Sequence, residues 1–331
     1  MKFRTSCVTQ WRVLVSAAAL LLAAHCSLLT VRGQAPEPTE TIRIDADLVN
    51  LNISVLSRDL SQPPAVLQQK EFAVFENGAS QEISFFASAE TPFDLVLLLD
   101  LSGSTADKIG LIRKSSRRFV DSARAGDRIG IVTFADTIQV VSLLTADRDA
   151  LKKSIGDMEK PEGGTRFWDS LRFVLEHVLG QSRAENRRSA VVVMTDGVDN
   201  ALPDVTGEGS RTTFEELLES ERRSDTIVLP IYLDTEKEGV RQHRMLAGAY
   251  GLARQQLDQL AAESGNVVYR ARKVKDLEGV YARIMHDLST VYSIGYIPTT
   301  RVRDGLWRTV TVQLIDHPDL VARSKRGYYA K

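Results

Sequence analysis

Cysteine is scarce in this sequence, and its position is informative. The 331 residues contain two cysteines, Cys7 and Cys26, and both lie near the N-terminus. The rest of the chain therefore has no disulfide, no thiolate metal ligand and no cysteine nucleophile. Stability must come from a hydrophobic core, and a chain of this length can bury a large one.

An excess of charge and a long apolar run are also missing. Lys and Arg number 42 against 43 Asp and Glu, so no basic surface points to nucleic acid. The apolar stretch at 13–24 has 12 residues, whereas a membrane-spanning helix needs about 20. With 43% hydrophobic and 26% charged residues, the composition is that of a globular protein, and the length predicts about two domains.

The first 35 residues have the pattern of an export signal. Bases but no acids occur there, the apolar run follows three of those bases, and Gly33, Gln34 and Ala35 form a small-x-small cleavage site. We expect residues 1–35 to be a cleaved signal peptide and the protein to reach the periplasm, cell envelope or extracellular medium. Membrane association would need an uncleaved signal or lipidation of Cys26, and a lipobox would have a small residue where His25 stands.

Two β-rich segments flank a longer α/β region. Residues 36–90 and 291–331 show short alternating apolar stretches and turn signals such as Asn77-Gly78, which predict strands. Between them, at 91–290, buried strands alternate with amphipathic helices, which predicts a doubly wound, mostly parallel sheet. We expect this α/β domain to be inserted in, or flanked by, a small β-sandwich in which residues 291–331 pair with 40–90. Two separate β modules are the alternative.

Oxygen-bearing side chains follow two of the predicted strands and one loop. Asp100, Ser102 and Ser104 lie in an Asp-x-Ser-x-Ser turn, Thr165 follows Gly163-Gly164, and Asp196 precedes a glycine. In a doubly wound sheet, ligands bind at the carboxyl ends of the strands, so these residues are expected to converge. Oxygen donors suit a hard divalent cation, and the pattern predicts a metal site.

These motifs resemble those of the von Willebrand factor A domain and its metal-ion-dependent adhesion site. The resemblance covers residues 93–288 and implies Mg²⁺ or Mn²⁺ as the cofactor. It also implies that Ser102 and Ser104 are direct ligands, that Thr165 is a state-dependent ligand, and that Asp100 and Asp196 are charge-neutralising ligands. An acidic group of a protein partner would fill the open coordination position.

The mature chain also resembles a subgroup of exported acidobacterial proteins that carry this domain. The residues that carry this second resemblance are 72–78, 292–296, 305–308 and 326–329. It implies the architecture and export, and no activity.

Other functions have weaker support in the sequence. Neither a Gly-x-x-x-x-Gly-Lys phosphate loop nor a Gly-x-Ser-x-Gly elbow occurs, so we expect no enzyme. A scaffold of an envelope complex with a vestigial metal site is the alternative, and a metal-dependent hydrolase is a third possibility. Asp199 is expected to be an exposed loop acid, with tuning of the metal site as the alternative. Trp168 is expected to rim the site or to pack on a helix face.

Overall fold

The computed structural model describes residues 48–57, 66–103, 105, 108–159, 163–180, 187–242 and 246–330. The predicted signal peptide and Ser104 lie outside the described residues, as do residues 36–47 of the predicted N-terminal β segment. All the described residues belong to the unit Ala46–Lys331. The domain boundaries at 35, 90 and 290 stay predictions.

The described part of the chain has four strands before the α/β region and four more after it. The strands before and within the α/β region are β1 (Val49–Ser57), β2 (Phe72–Glu76), β3 (Ala79–Gln81), β4 (Ile83–Ala87), β5 (Phe93–Asp100), β6 (Arg128–Phe134), β7 (Ile138–Thr145), β8 (Arg188–Thr195), β9 (Ile227–Leu233) and β10 (Tyr269–Ala271). The last four are β11 (Val291–Tyr296), β12 (Trp307–Leu314), β13 (Leu320–Arg323) and β14 (Gly327–Tyr329).

Seven α-helices are described, and they lie between β5 and β11. They are α1 (Ile109–Ser122), α2 (Arg148–Asp157), α3 (Phe167–Phe173), α4 (Phe214–Arg223), α5 (Glu236–Gln242), α6 (Leu246–Glu263) and α7 (Leu277–Leu288). A π-helical turn, Val174–Leu179, extends α3. Helices α2 and α5 were not predicted, because α2 buries only Leu151 and Ile155 and α5 is almost entirely polar.

The central sheet has the order β10-β9-β8-β5-β6-β7. All neighbouring pairs are parallel except β6 with β7, which is an antiparallel edge hairpin. Every residue of β5 and of β9 is buried, as expected for strands covered on both faces. Helices α1, α2 and α7 pack on one face, and α3, α4 and α6 on the other, so the predicted doubly wound fold is confirmed.

Strands from both ends of the chain form two flanking antiparallel sheets. Their orders are β13-β1-β11-β4 and β14-β12-β2-β3. Residues of the two sheets share one hydrophobic core, in which Phe72, Phe86 and Tyr292 pack ring against ring. The flank is therefore a small sandwich, as the sequence analysis expected. The C-terminal β segment ends in two short strands, β13 and β14.

Arg188 joins the sandwich to the central sheet. Its guanidinium is buried and donates to the carbonyls of Ser88, Ala89 and Thr91, where the chain enters the α/β region, and of Val291, where it leaves. It also lies 4.6 Å from the centre of the Phe93 ring. The Arg188 side chain thus donates hydrogen bonds to both chain segments that connect the sandwich with the α/β region.

Glu221, near the end of α4, is a buried carboxylate next to the sandwich. Neither of its carboxylate oxygens has a hydrogen-bond partner among the described residues. Burial raises the pKa of Glu221 well above its ordinary 4.5, and the charge of Glu263 raises it further. The folded state therefore binds this proton more tightly than the unfolded state does.

We expect Glu221→Gln to stabilise the protein at neutral pH. Because the folded pKa is raised, wild-type stability falls as pH rises from about 4.5 toward the folded pKa, at up to about 1.4 kcal/mol per unit. The glutamine cannot ionise, so its advantage should grow from pH 5 to pH 7.5. Urea unfolding at both pH values measures this. A variant with the same pH slope as the wild type would contradict the assignment, and the exposed Glu219→Gln is the control.

Candidate metal site

The candidate site lies at the carboxyl edge of the central sheet, where β5 and β8 are neighbours. Strand β5 has β6 on one side and β8 on the other. The order in which the strands are added to the sheet therefore reverses next to β5, at the β5–β8 boundary. Loops that leave adjacent strands in opposite directions open a crevice there. Asp100 ends β5 and Asp196 follows β8, so the topology brings the two acids together.

Asp100 forms the buried base of the site. Its Oδ1 accepts from the backbone N–H and the hydroxyl of Ser102, at 2.9 and 2.6 Å, and its Oδ2 accepts from the Thr195 hydroxyl at 2.6 Å. The Thr105 hydroxyl donates to the Asp100 carbonyl and closes the turn. The carboxylate is fully buried and fixed on both oxygens.

Asp196 is held from the neighbouring strand. Its Oδ1 accepts from the Val198 N–H at 3.1 Å, and its Oδ2 accepts from the Thr235 hydroxyl at 2.6 Å. Thr235 follows β9, and its hydroxyl also lies 3.1 Å from the Tyr250 hydroxyl. Residues at the ends of β5, β8 and β9, which are neighbours in the sheet, thus contribute to the network that orients the two acids.

Thr165 reaches the same edge from the loop before α3. Its N–H donates to the Asn200 side-chain carbonyl, and its carbonyl accepts from the Asn200 N–H, at 2.9 and 3.0 Å. The neighbouring Gly163 has φ 114°, a conformation that favours glycine. The Thr165 hydroxyl makes no hydrogen bond with a residue that the structure describes, although the side chain is mostly buried.

These residues border an open cavity of about 520 Å³. Ser102, Thr165 and Asp196 line it, and Asp100 lies beneath them. At the mouth, the Lys108 ammonium donates to the Glu238 carboxylate at 3.0 Å. The structure therefore brings together four of the five predicted ligands, and the fifth, Ser104, lies outside the described residues.

The two acids repel each other electrostatically. Burial raises the pKa of Asp100 to about 7, and the charge of Asp196 raises it as well, against the lowering effect of the hydrogen bonds from Ser102 and Thr195. Two carboxylates in one dry site are stable together when a cation lies between them. The electrostatics of the site therefore suit a positive charge.

The donor set fits a hard divalent cation. Its atoms are carboxylate and hydroxyl oxygens, the ligands that Mg²⁺ and Mn²⁺ prefer. Nowhere in the described ranges do three His, Cys, Asp or Glu side chains form a metal-binding group, so a site here has to use hydroxyls. Ser102 and Thr165 supply them.

Several residues that orient the two site acids were not predicted from the sequence. Thr195, Thr235 and Tyr250 orient the acids, and only Thr235 carried a signal, because it follows a buried strand at the same edge. Trp168 packs against Phe214, with ring centres 6.0 Å apart, and does not line the cavity.

The expectation that Asp199 is an exposed loop acid was wrong. Asp199 is fully buried and accepts four hydrogen bonds, from the N–H groups of Trp168, Ala201 and Ser210 and from the Ser210 hydroxyl. Because these donors come from the loop after β8 and from the start of α3, the carboxylate holds these two segments together. It thereby fixes the distance between the Thr165 loop and Asp196.

We expect Asp199→Asn to cost about 2 kcal/mol of folding stability, since one carboxylate oxygen that accepts two of these bonds becomes an amide donor. The shift of the urea midpoint measures this. Asp204→Asn is the matched control, because Asp204 lies exposed in the same loop at φ 65°, which asparagine tolerates. Equal midpoints for the two variants would contradict the role of Asp199.

The model of the von Willebrand factor type A domain matches residues 94–283, which is more than half of the chain. The chain belongs to the von Willebrand factor type A domain family. A curated relative, an uncharacterized protein of Borreliella burgdorferi, is 28% identical over 117 residues, a third of this chain and a third of that protein. The chain therefore aligns with a minor part of that relative. The finer resemblance to acidobacterial proteins stays a prediction.

Solved structures of this family are similar at low identity. Proximal thread matrix protein 1 from the mussel byssus, with a zinc-occupied MIDAS motif, is 18% identical, with 60% of this chain and 48% of that chain covered and a TM-score of 0.46. The pilus adhesin SpaC of Lactobacillus rhamnosus GG is 12% identical, covering 86% and 48%, with a TM-score of 0.46. The domain of the pili tip protein Mfa5 from Porphyromonas gingivalis is 15% identical, covering 59% and 94%, with a TM-score of 0.44.

Proposed function

We propose that this protein is an exported interaction module that captures an acidic group of a protein partner through a bound Mg²⁺ or Mn²⁺. The observation that carries the proposal is the cavity lined by Ser102, Thr165 and Asp196 above the buried Asp100. Its oxygens converge from three chain segments, and the repulsion between its two carboxylates, which helps to raise the pKa of Asp100, favours a bound cation. Family membership supports the same assignment.

The residues divide into ligands and supports. Ser102, Thr165 and Asp196, with Ser104 from the sequence motif, would hold the cation, and Asp100 would balance its charge from below. A metal bound mainly by neutral hydroxyls keeps enough positive charge to attract a further carboxylate. Thr195 and Thr235 keep the two acids oriented by donating to them.

The mouth of the cavity suits an acidic partner. The Lys108 ammonium lies there, and its described partner Glu238 is more than half exposed. An exposed ion pair of this kind contributes little stability, so a partner carboxylate can exchange with Glu238 at small cost. None of the described residues that line the cavity is a histidine, and we propose that the site binds rather than catalyses.

Export rests on the pattern of residues 1–35. In the part of the chain that the structure describes, no helix has the length and apolar character to cross a bilayer. We propose the periplasm, cell envelope or extracellular medium as the location. A protease-accessibility assay on intact and permeabilised cells tests this, and protection under both conditions would contradict it.

Binding to a surface coated with a glutamate-containing peptide tests acid capture. We expect binding in Mg²⁺, loss of binding in EDTA, and no binding to the matched peptide with glutamine in place of glutamate. Thr165→Val should remove the binding and Thr165→Ser should retain it. Metal binding without any preference for the glutamate peptide would overturn acid capture. Failure of the wild type to bind metal would favour the scaffold with a vestigial site.

A further inference from the structure

A second cavity lies away from the metal site, between the α/β domain and the sandwich. Its volume is about 570 Å³, which is the size of a small-molecule pocket. One wall comes from β1 and β13 of the sandwich, and the other from α7 and the segment that leads into β10. Pockets that bind small molecules occur preferentially at such junctions between domains.

The sandwich wall is fixed by strand register. Ser54 pairs with Arg323 and Leu56 with Val321, so these four side chains share one face of the β1–β13 pair. The residue between them on β1, Val55, points into the sandwich core. The face toward the cavity thus has a polar end at Ser54 and Arg323 and an apolar end at Leu56 and Val321.

The opposite wall supplies a second guanidinium. Arg283 of α7 lies 5.7 Å from the centre of the Tyr269 ring, and the charges of Arg283 and Arg323 both act on the Tyr269 hydroxyl. The two cations, from different parts of the molecule, therefore converge on one region. Neither forms an ion pair with any residue in the described ranges, and the Asp287 carboxylate is the one acid among the residues found to line the cavity.

The polar side chains around the cavity differ in whether they have a hydrogen-bond partner. The Asp287 carboxylate already accepts from the Tyr269 hydroxyl at 2.5 Å. Ser54 is more than nine-tenths buried, yet its hydroxyl makes no hydrogen bond with a described residue. Arg283 and Arg323 are exposed and have no described ion-pair partner, and the Ser54 hydroxyl beside them has no described acceptor, so an anionic oxygen in the cavity can accept from all three.

We propose that this junction cavity binds a small amphiphile with a carboxylate or phosphate head and a short apolar chain. The head contacts Arg283, Arg323 and Ser54, and the chain lies along Leu56 and Val321. Since the two walls belong to different parts of the molecule, the ligand also bridges them. This site is independent of the metal site and of the proposed function.

Calorimetric titration of the whole protein with hexanoate, hexyl phosphate, acetate and hexanol tests the proposal. We expect hexanoate or hexyl phosphate to bind, and the tighter of the two identifies the head group. Hexanol and acetate should each bind at least about tenfold more weakly, because hexanol lacks the anionic head and acetate lacks the apolar chain. Equal binding of hexanol would overturn the anionic head, and equal binding of acetate would overturn the apolar chain.

Substitutions locate the ligand. Arg323→Gln and Arg283→Gln should each weaken hexanoate binding about tenfold or more, since each removes a charge-assisted hydrogen bond. Leu56→Ser should weaken hexanoate and leave acetate unchanged. Arg272→Gln is the matched control, because Arg272 is exposed beside β10 and does not line the cavity. Binding that stays unchanged in both cavity arginine variants, with circular dichroism showing that they are folded, would overturn the proposal.

Discussion

Asp196→Asn should abolish Mg²⁺ binding, with a loss of affinity of at least about 100-fold. The substitution replaces a charged ligand oxygen with a neutral amide, so that Asp100 is the one carboxylate left among the described predicted ligands, beside the hydroxyls of Ser102 and Thr165. Loss of one full charge interaction in a buried site is worth about 3 kcal/mol or more, which corresponds to this factor. Calorimetric titration with Mg²⁺ and with Mn²⁺ measures it directly.

The same variant should not destabilise the metal-free protein. Asp196 raises the pKa of the buried Asp100, so removing its charge relieves repulsion. The asparagine can still accept from the Val198 N–H through its oxygen, and the Thr235 hydroxyl can turn toward Tyr250. Mg²⁺ should raise the melting temperature of the wild type, because it binds the folded state, and should leave that of Asp196→Asn unchanged.

Two substitutions at Thr165, one without the hydroxyl and one with it, serve as matched tests of metal binding. Its hydroxyl has no described protein partner, so Thr165→Val should be neutral for folding and should weaken Mg²⁺ binding at least about tenfold. Thr165→Ser keeps the hydroxyl and should bind almost as tightly as the wild type. Equal Mg²⁺ affinity for the wild type, Thr165→Val and Asp196→Asn would show that the cation does not bind at these residues.

The central sheet and most of the site could be predicted because their signals are local. A strand buried on both faces is a continuous apolar run, as at β5, and each predicted ligand follows such a strand or a glycine pair. Their convergence then follows from topology alone, since parallel strands in one sheet end at the same edge. For this reason Asp100 and Asp196 could be grouped although 96 positions separate them, and Thr165 could be added from the glycine pair before it.

The missed features depend on contacts that have no local pattern. Asp199 follows a glycine-containing turn and resembles a solvated loop acid, yet its donors come from residues 31 and 11 positions away. The register of β1 on β11 likewise joins Val49 to Tyr296 across the whole α/β domain. Helix α5 has few apolar residues and therefore no helical periodicity to detect.

The substitution Arg188→Met should lower the folding stability by about 3 kcal/mol. Methionine fills much of the same volume but donates no hydrogen bond, so the carbonyls of Ser88, Ala89, Thr91 and Val291 lose a donor inside the protein. Each unsatisfied buried group costs about 1–3 kcal/mol. Part of this is offset, because the buried charge itself is costly: burial lowers the pKa of Arg188 to about 9.

The position of Arg188 makes the effect more than a local one. The four carbonyls lie on the two chain crossings between the sandwich and the central sheet, and we expect their release to loosen the junction as well as lower the urea midpoint. Arg188→Lys should recover only part of the loss, since one ammonium cannot reach carbonyls on both crossings. Arg272→Met, at an exposed arginine, should leave the midpoint unchanged. A loss below about 1 kcal/mol in Arg188→Met would mean that packing of the two cores, and not this side chain, holds the junction together.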